Sequence, residues 1–497
     1  MDGFLKKVLI GSGATLVSML VVKVMAIVNS VIAARLLQPE DFGALSIIVN
    51  LQNLVAIVAC FGIPLAMTKH VSQWRARDEP HASAIGSALL LMLTISAAVT
   101  AAAYLLLSGT IAEGIYSDPG LVDTLRLSSV FVLVSSINLG LVALLQGGQR
   151  ITTLAKINAL VAVLNQPITF VSVSVWGLEG AVLALVAANM VSIAFLLVSL
   201  RQVIRLSMKG ARRILGQRHS MRPLISFTIP SFLISLMIVP AYWIGRTQLA
   251  LDWSLEAVGD FQIAESLSQI VLLVPHAVTV PLLPLIAEQQ DMGTVGKHSG
   301  SLLRLAVFLG LPFSIAALPF LRALISILYG DVYEPANDTA ILMFASSTFI
   351  ALGSVISSTI IGTGRMWAVL VLNAVWLALF LGAVFTLVPS SGSEGLAGAY
   401  VVSYLIYLFS LMWYFRAKFN VNTSRLVPLI AAFVPAMALY LAEIKDLDFW
   451  VRLGYGFGLA ALFLIMGFRF VLEEEERGYL RQFVTSIRTR RPPPSSL

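Results

Sequence analysis

Cysteine is almost absent from this chain: Cys60 is the one cysteine among 497 residues. A lone cysteine excludes an intramolecular disulfide and a cysteine-based metal site. Charged residues are also scarce, at 12% of the chain, while hydrophobic residues make up 58% and the mean hydropathy is +0.89. Because soluble globular domains carry about twice that share of charge, the composition predicts a polytopic membrane protein.

Long loops are missing too. On the side of the membrane where the acidic loops are expected, the loops are no longer than about fifteen residues, too short for a folded domain. They hold no organised cluster of acid, base or metal-ligating side chains, so the sequence predicts neither an enzyme nor a metal site or cofactor. Any function must then be carried out inside the membrane.

Apolar runs fill most of the chain. Fourteen of them approach or exceed the length that crosses the roughly 30 Å of a bilayer's hydrocarbon. The first run carries one ammonium, Lys23, near its middle, and is too long for the apolar region of a signal peptide. The sequence therefore predicts an all-α fold of about fourteen transmembrane helices. These helices are expected at about 8–34, 43–67, 82–108, 124–146, 156–176, 179–200, 224–250, 258–286, 301–327, 337–363, 366–388, 395–416, 425–444 and 450–471.

Lysine and arginine are unevenly distributed among the loops. If the N-terminus is cytoplasmic, two of the 33 basic residues lie inside helices, Lys23 and Arg246, and five lie in outer loops. The rest are cytoplasmic, so the bias predicts that both termini are cytoplasmic. The net charge of +7 is then a topology signal, and we expect no nucleic-acid partner. The five outer residues are Arg35, Arg126, Arg322, Lys445 and Arg452.

The loops also suggest a division into domains. We expect a first lobe of six helices at 1–200, a basic cytoplasmic connection at 201–222, a second six-helix lobe at 223–416, two further helices at 417–471 and a cytoplasmic tail at 472–497. The connection predicts either an interfacial helix on anionic lipid or a site that captures an anionic headgroup. Its basic residues at helical spacing are Arg201, Arg205, Lys209, Arg212 and Arg213.

Short patterns recur at a nearly constant distance, so the chain has an internal repeat. The repeat spans six helices, an even number, and both halves therefore enter the membrane from the same side. We expect two parallel repeats with a substrate path between them that opens alternately to either side. The matched pairs are Gly43 with Gly259, Arg150 with Arg365, Asn158 with Asn373 and Gly180 with Gly398, at distances of 216, 215, 215 and 218 positions.

Two stretches resemble a known family. ARLLQPEDFGALSIIVNLQNLVAIVACFGIPLAMTKHVSQ, residues 34–73, resembles the opening of the polysaccharide-biosynthesis flippases. GGQR, an Asn-bearing helix and then WGLEGAVLALVAANMV at 176–191 are similar to a pattern that this family repeats in both lobes. The family is the lipid-linked oligosaccharide branch of the multidrug/oligosaccharidyl-lipid/polysaccharide exporter superfamily. The resemblance covers helices 1 to 12. It implies two lobes that form a V around a central cavity.

Helices 1 and 7 occupy equivalent places in the repeat, and each carries one cation within a polar face. Lys23 and Arg246 would face one cavity, where they offset the cost of burying a diphosphate; Tyr242 lies beside Arg246. Alternatively, neighbouring carbonyls hold Lys23, and Arg246 reaches the outer headgroup region or pairs with Glu265. The two faces comprise Ser12, Thr15, Lys23 and Ser30 on helix 1, and Thr228, Ser231, Ser235, Tyr242 and Arg246 on helix 7.

A polar stripe on helix 8, from Gln262 through Glu265 and Gln269 to His276, predicts ion coupling. Glu265 would take up a proton or Na⁺, and His276 is a second candidate because histidine titrates near neutral pH. The alternatives are an ion pair between Glu265 and Arg246 and a packing role for His276.

Amide side chains inside the helices form hydrogen bonds between helices or bind a substrate, and the first use is the commoner one. Two of them, Asn53 and Asn158, are cavity candidates. The full set is Asn50, Asn53, Asn138, Asn158, Asn165 and Gln166.

The resemblance and the buried cations together predict a flippase in the cell (inner or plasma) membrane. It would move a polyprenyl-diphosphate-linked oligosaccharide from the cytoplasmic to the outer leaflet by alternating access. Its expected partners are the lipid-linked glycan, membrane lipids, and glycosyltransferases or a polymerase of the same pathway. The alternative is a cation-coupled multidrug exporter of the same superfamily, which would need carboxylates at mid-membrane depth in its first lobe. Helices 1 to 6 have none there.

Overall fold

The computed structural model describes residues 2–75, 79–116, 118–201, 207–216, 218–272, 292–363 and 365–478. Within these ranges the chain is helical and has no β-strand. The helices are α1 (Asp2–Leu36), α2 (Pro39–Cys60), α3 (Ile63–Arg75), α4 (Glu79–Gly114), α5 (Val122–Gly147), α6 (Ile151–Leu200), α7 (Met208–Leu215), α8 (Arg218–Asp252), α9 (Leu255–Ser268), α10 (Met292–Leu328), α11 (Ala336–Gly362), α12 (Met366–Phe419), α13 (Val427–Leu439) and α14 (Phe449–Met466). The all-α prediction is confirmed.

Ten helices of the described ranges are long and apolar enough to cross a membrane. Two of them, α6 and α12, contain 50 and 54 residues. At about 1.5 Å per residue each is more than twice as long as the hydrocarbon is thick, so each is long enough for two crossings. The multi-pass architecture is therefore established, while the count of fourteen crossings stays a prediction.

The helices pack into two compact units. The first unit consists of Val17–Gln262 with Val384–Ser393, and α4, α5 and α6 pack in sequence within it around buried leucines and valines. The second unit consists of Met1–Leu16, Ile263–Ala383 and Glu394–Leu497, and there α10 packs against α11, α13 and α14. The lobes and domain boundaries expected from the sequence stay predictions.

Matching backbone breaks identify the two repeats. Gly177 interrupts α6 with φ 55° and ψ −129°, and Gly392, 215 positions later, interrupts α12 with φ 54° and ψ −128°. Glycine is the residue that adopts such angles without strain. The helices begin after Arg150 and Arg365, also 215 positions apart, with φ/ψ of −96°/49° and −91°/46°.

These breaks correct one part of the repeat. The sequence matched Gly180 with Gly398 at 218 positions, but the equal kinks put the equivalence at 215. At that distance Gly-x-Glu-Gly at residues 177–180 matches Gly-x-Glu-Gly at residues 392–395. The Ala-bearing pattern three residues later was a false match.

Helices α2 and α9, which are equivalent in the repeat, meet near their N-terminal ends. A Cβ on Gly43 would overlap the carbonyl oxygen of Leu255, and a Cβ on Gly259 would lie 3.0 Å from the carbonyl oxygen of Pro39. Gly43 and Gly259 are 216 positions apart, as are Pro39 and Leu255, so the two contacts are equivalent in the repeat. Glycine at both places lets the two backbones approach closely, as in other helix crossings in membranes.

Helix 2 of the sequence prediction ran to residue 67, which is wrong. α2 ends at Cys60, because Phe61 and Gly62 adopt left-handed φ angles of 44° and 70°. The Phe61 amide donates to the Ile57 carbonyl at 2.9 Å, and α3 then starts at Ile63, directly before Pro64. A left-handed residue at the C-terminal end and a proline in the first turn of the next helix are ordinary helix boundaries.

Helix 8 is also shorter than expected. The prediction of one helix from 258 to 286 is wrong in the described part, since α9 ends at Ser268 and residues 269–272 form turns. The amides of Ile270, Val271 and Leu272 each donate to the carbonyl three residues earlier. Residues 273–291, and with them the remainder of the predicted helix, lie outside the described residues.

The basic connection contains a short amphipathic helix, α7. Ala211 and Ile214 are buried in the core of the first unit, while Lys209, Arg212 and Arg213 are exposed. The helix starts with a cap in which the Gly210 amide donates to the Ser207 hydroxyl at 3.1 Å. Its apolar side is covered by protein, so the cations are free to face the membrane surface.

Candidate functional site

The candidate site starts from α1 and the first half of α6, which run side by side in the first unit. The Ser18 hydroxyl donates to the Ala155 carbonyl at 2.6 Å, and eleven residues later on α1 the Asn29 amide oxygen accepts from the Asn165 amide at 3.3 Å. Between them the Gln166 amide donates to the Met25 carbonyl at 3.1 Å. The two helices are therefore held in parallel register over about three turns.

Lys23 and Asn158 both lie within this clamped stretch. Lys23 is half-buried on α1, between Ser18 and Asn29, and Asn158 is exposed on α6, between Ala155 and Asn165. At 100° per residue Lys23 points about 140° away from Ser18. The ammonium thus leaves the α1 side that bonds to α6, and the structure brings these two predicted site residues to the same level of one helix pair.

A group of buried oxygens follows on α6. Among the described residues, no donor reaches the side-chain oxygens of Asn165, Gln166 and Thr169. Pro167, in the same turn, has no amide hydrogen of its own. Three neutral acceptors in one turn can bind donors such as ordered water.

Arg246 is enclosed by the first unit. Its residue is 2% exposed, and its guanidinium carbon lies 5.2 Å from the centre of the Phe261 ring, within cation–π range. The guanidinium is thus enclosed by protein, and both the cavity role of Arg246 and its alternatives stay predictions. Tyr242, one turn earlier on α8, is half-buried.

The same end of α8 is tied to the end of α4 by hydrogen bonds. The Trp243 indole donates to the Tyr116 hydroxyl at 3.0 Å, and Thr247 lies 3.4 Å from that hydroxyl. Burial raises the pKa of the Tyr116 hydroxyl above its usual value, so it stays protonated. Arg246 is therefore held on a firmly anchored helix end.

The two predicted cations do not occupy equivalent positions of the repeat. α1 ends at Leu36 and α8 ends at Asp252, 216 positions later, which makes Ser30 the counterpart of Arg246. Lys23 lies seven residues before Ser30, a rise of roughly 10 Å along a helix. A substrate that used both would contact them at different depths.

The predicted amide residues divide into two groups. Asn138 donates to Asn189 at 2.8 Å and accepts from Ser192 at 2.9 Å, so it joins α5 to α6, and Asn165 and Gln166 join α6 to α1. Asn50 donates to the Ser46 carbonyl of its own helix. Asn53 and Asn158 are exposed, and their role in a cavity stays a prediction.

The predicted coupling residues lie on or beyond α9. Gln262 belongs to the first unit, where its amide oxygen accepts from the Ser46 hydroxyl at 2.7 Å. Glu265 is half-buried in the second unit, and His276 lies outside the described residues. In the part of the chain that the structure describes, no three His, Cys, Asp or Glu side chains are grouped to hold a metal ion.

Sequence reasoning missed a second polar line on α1. Ser18, Met25 and Asn29 form the side that bonds to α6, whereas the predicted face followed Lys23 and Ser30. The sequence does indicate this side of α1, because Ser18 and Asn29 are eleven residues apart, close to three full turns, and so lie on the same helix face. Thr169, beside two recognised amides, was missed because an isolated threonine in an apolar helix carries no distinctive pattern.

Comparison with known proteins finds lipid III flippases that are related by sequence and several solved transporter structures with a similar fold. Over 400 residues the chain is 25% identical to the lipid III flippase of Escherichia coli (strain K12), a match that covers 75% of this chain and 89% of the relative. An inward-facing multidrug resistance MATE family transporter of the MOP superfamily superposes with a TM-score of 0.66 at 13% identity, covering 80% of this chain and 94% of that one. The lipid II flippase MurJ in an inward closed conformation superposes with a TM-score of 0.64 at 10% identity, covering 92% and 98%.

These structures share the transporter fold of this chain at low identity. The profile of one sequence family, described as polysaccharide biosynthesis protein, matches residues 8–290 and so covers more than half of the chain. The resemblance seen in the sequence is confirmed: the chain belongs to the polysaccharide biosynthesis protein family.

Proposed function

We propose that this protein is a flippase for a lipid-linked oligosaccharide, which it moves from the cytoplasmic to the outer leaflet of the cell membrane. The observation that carries the proposal is the half-buried Lys23, turned away from the α1–α6 contact and level with the exposed Asn158. A cation within a membrane helix favours anionic groups in its surroundings, and a polyprenyl diphosphate carries such a group. The related lipid III flippase supports the same substrate class.

The sign of the charge favours an anionic substrate. Within the described part of residues 1–200 the acids lie at helix ends or turns, such as Glu40 at the start of α2, Glu113 at the end of α4 and Glu179 beside the Gly177 kink. A pump for cationic drugs would need a carboxylate deep in these helices. The multidrug exporter is therefore the second candidate, supported by the MATE fold alone.

Transport would proceed by alternating access of the two repeats, with no covalent step. We propose that both termini are cytoplasmic, which agrees with the loop charges and places the exposed cations of α7 at the inner surface. Glu265 is the proposed site of H⁺ or Na⁺ coupling, because a half-buried acid near the end of α9 can bind either ion. Asn53, Asn158 and Tyr242 would complete the substrate path, and the enclosed Arg246 would contribute its positive charge from behind the wall.

The test uses proteoliposomes with a fluorescent polyprenyl-diphosphate sugar, whose outer-leaflet fraction is followed by quenching. Lys23→Gln should slow translocation by about 10-fold or more, because a charge-assisted hydrogen bond to a phosphate is lost, and Lys23→Arg should retain most of the rate. Lys156→Gln is the matched control, since it removes an exposed lysine from the same stretch of α6. Equal rates for Lys23→Gln and Lys156→Gln would refute the assigned site.

Two further arms separate the alternatives. When the protein is expressed in an exporter-deficient host, the multidrug-exporter hypothesis predicts higher resistance to cationic drugs, and the flippase hypothesis predicts no change in resistance. An imposed pH or Na⁺ gradient should accelerate the wild type, while Glu265→Gln should equilibrate substrate without responding to the gradient. A gradient response that survives in Glu265→Gln would remove this residue from coupling.

A further inference from the structure

A cavity of about 620 Å³ lies between the start of α13 and the end of α14 in the second unit. Three arginines line it: Arg425 just before α13, Arg469 just after α14, and Arg477 in the following turn. No aspartate or glutamate is among the lining residues. The opening is therefore a concentration of positive charge at the ends of two membrane-spanning helices.

The local backbone explains how the arginines come together. After α14 the chain forms a wide π-helical turn, Gly467–Val471, and then reverses. Arg477 donates from Nε to the Leu472 carbonyl at 2.9 Å and from Nη2 to the Arg469 carbonyl at 3.1 Å, which satisfies carbonyls at the helix end. A guanidinium has five N–H donors, so Arg477 keeps donors for a ligand.

Three of the four acidic residues at 473–476 form ion pairs with cations that do not line the cavity. Glu476, which is 2% exposed, bonds to Arg304 at 2.8 Å, and Glu473 bonds to the same guanidinium at 3.1 Å. Glu475 pairs with Lys297 of α10 at 3.3 Å. Glu473, Glu475 and Glu476 are thus paired with Arg304 and Lys297 and not with the three arginines of the cavity.

The rest of the wall is apolar. Pro428 and Leu429 of α13, Met466 at the end of α14, and Phe470 and Val471 of the π-helical turn line it together. The guanidinium carbon of Arg469 lies 5.9 Å from the centre of the Phe470 ring. The candidate spans Val427–Ile444 and Phe449–Val471 begin and end beside the cavity, and the end of an apolar span is where headgroups are expected. A ligand that fits has a phosphate at one end and a hydrocarbon chain at the other.

We propose that this cavity binds an anionic membrane phospholipid, with its phosphate on Arg425, Arg469 and Arg477 and an acyl chain along Pro428 and Phe470. Basic pockets between membrane helices on the cytoplasmic side recognise lipid phosphates in this way. A bound lipid would link α13, α14 and the turn after them. The inference concerns helices outside the six-helix repeats and does not rest on the proposed transport function.

The experiment measures lipid binding to the purified full chain by native mass spectrometry. Cardiolipin or phosphatidylglycerol should bind at least about tenfold more tightly than phosphatidylcholine, and Arg425→Gln with Arg469→Gln should lose most of that preference. Arg477 is left unchanged, because its bonds to carbonyls belong to the fold. The control is Arg416→Gln with Lys418→Gln, which removes two exposed cations from the last turn of α12 and should keep the preference.

Other results would overturn the proposal. Equal binding of phosphatidylcholine would show that the arginines do not select the headgroup. Inorganic phosphate that competes at the same concentration as the lipid would assign the site to a free anion. Tighter binding of a polyprenyl diphosphate would assign it to the transported lipid, and equal losses in the test and control variants would leave only general charge attraction.

Discussion

Gly43→Ala, at the single glycine of α2, is expected to destabilise the first unit. Its new Cβ would overlap the carbonyl oxygen of Leu255, a backbone atom that cannot rotate away. Restoring a normal separation of about 3.5 Å requires α2 and α9 to move apart, and overpacking of this kind costs about 1–3 kcal/mol. Alanine stabilises a helix by roughly 0.5–1 kcal/mol relative to glycine. The steric cost is larger, so the net effect on the free energy of unfolding should be destabilising.

Two other glycines form a graded series with it. A Cβ on Gly259 would lie 3.0 Å from the Pro39 carbonyl oxygen, which requires a small shift, and a Cβ on Gly109 of α4 would meet nothing within 4 Å. The melting temperature should fall by several degrees for Gly43→Ala, fall slightly for Gly259→Ala, and stay or rise for Gly109→Ala.

The lone cysteine provides the assay. Cys60 is 6% exposed, so a maleimide dye reports unfolding by reacting with it when the core opens. The melting curve of each purified variant is recorded in the same detergent. If Gly43→Ala melted at or above the temperature of Gly109→Ala, the close contact between α2 and α9 would not be a feature of the folded protein.

Arg304→Ala should be strongly destabilising, by about 3–5 kcal/mol, because it leaves the carboxylate of Glu476 buried without its cation. The double variant Arg304→Met with Glu476→Met should recover most of the lost stability in the same melting assay. The control Lys297→Ala removes an exposed ion pair and should have little effect. A double variant as unstable as Arg304→Ala would argue against a charge effect. Gly392→Ala should cost more than Gly177→Ala, since both have φ near +55° but a Cβ on Gly392 would lie 2.9–3.0 Å from the Trp253 ring and one on Gly177 meets nothing within 4 Å. Equal melting temperatures for this pair would remove the Trp253 contact as a cause.

The large-scale fold was predictable because membrane helices are specified by long apolar runs that need no knowledge of tertiary contacts. The duplication was also visible, since glycines and arginines at turns recur with fixed spacing. The end of helix 2 was not, because residues 61–67 remain apolar while Phe61 and Gly62 leave the helical region. Hydropathy measures the environment of the side chains and is insensitive to a change in backbone angles.

The types of residue in the candidate site could be predicted from the sequence, but the helices that these residues contact could not. Lys23 stood out because a charge inside an apolar run is rare and costly. Which amides join helices depended on their partners: Asn138 finds Asn189 and Asn165 finds Asn29, while Asn53 and Asn158 remain exposed. One sequence gives the face of each helix but not the neighbour it meets, so Ser18 and Asn29 could not be assigned to α6 in advance.

The contact between Ser46 and Gln262 joins two positions that are 216 residues apart, which is the distance between the repeats. In a dimer of identical chains, the residues nearest the twofold axis meet their own copies and every substitution appears twice. Here the two copies are covalently joined, so a hydroxyl donor occupies one place and an amide acceptor the other. The covalent link between the repeats thereby allows a complementary pair where identical chains would have a self-contact, because a substitution in one repeat leaves the other repeat unchanged.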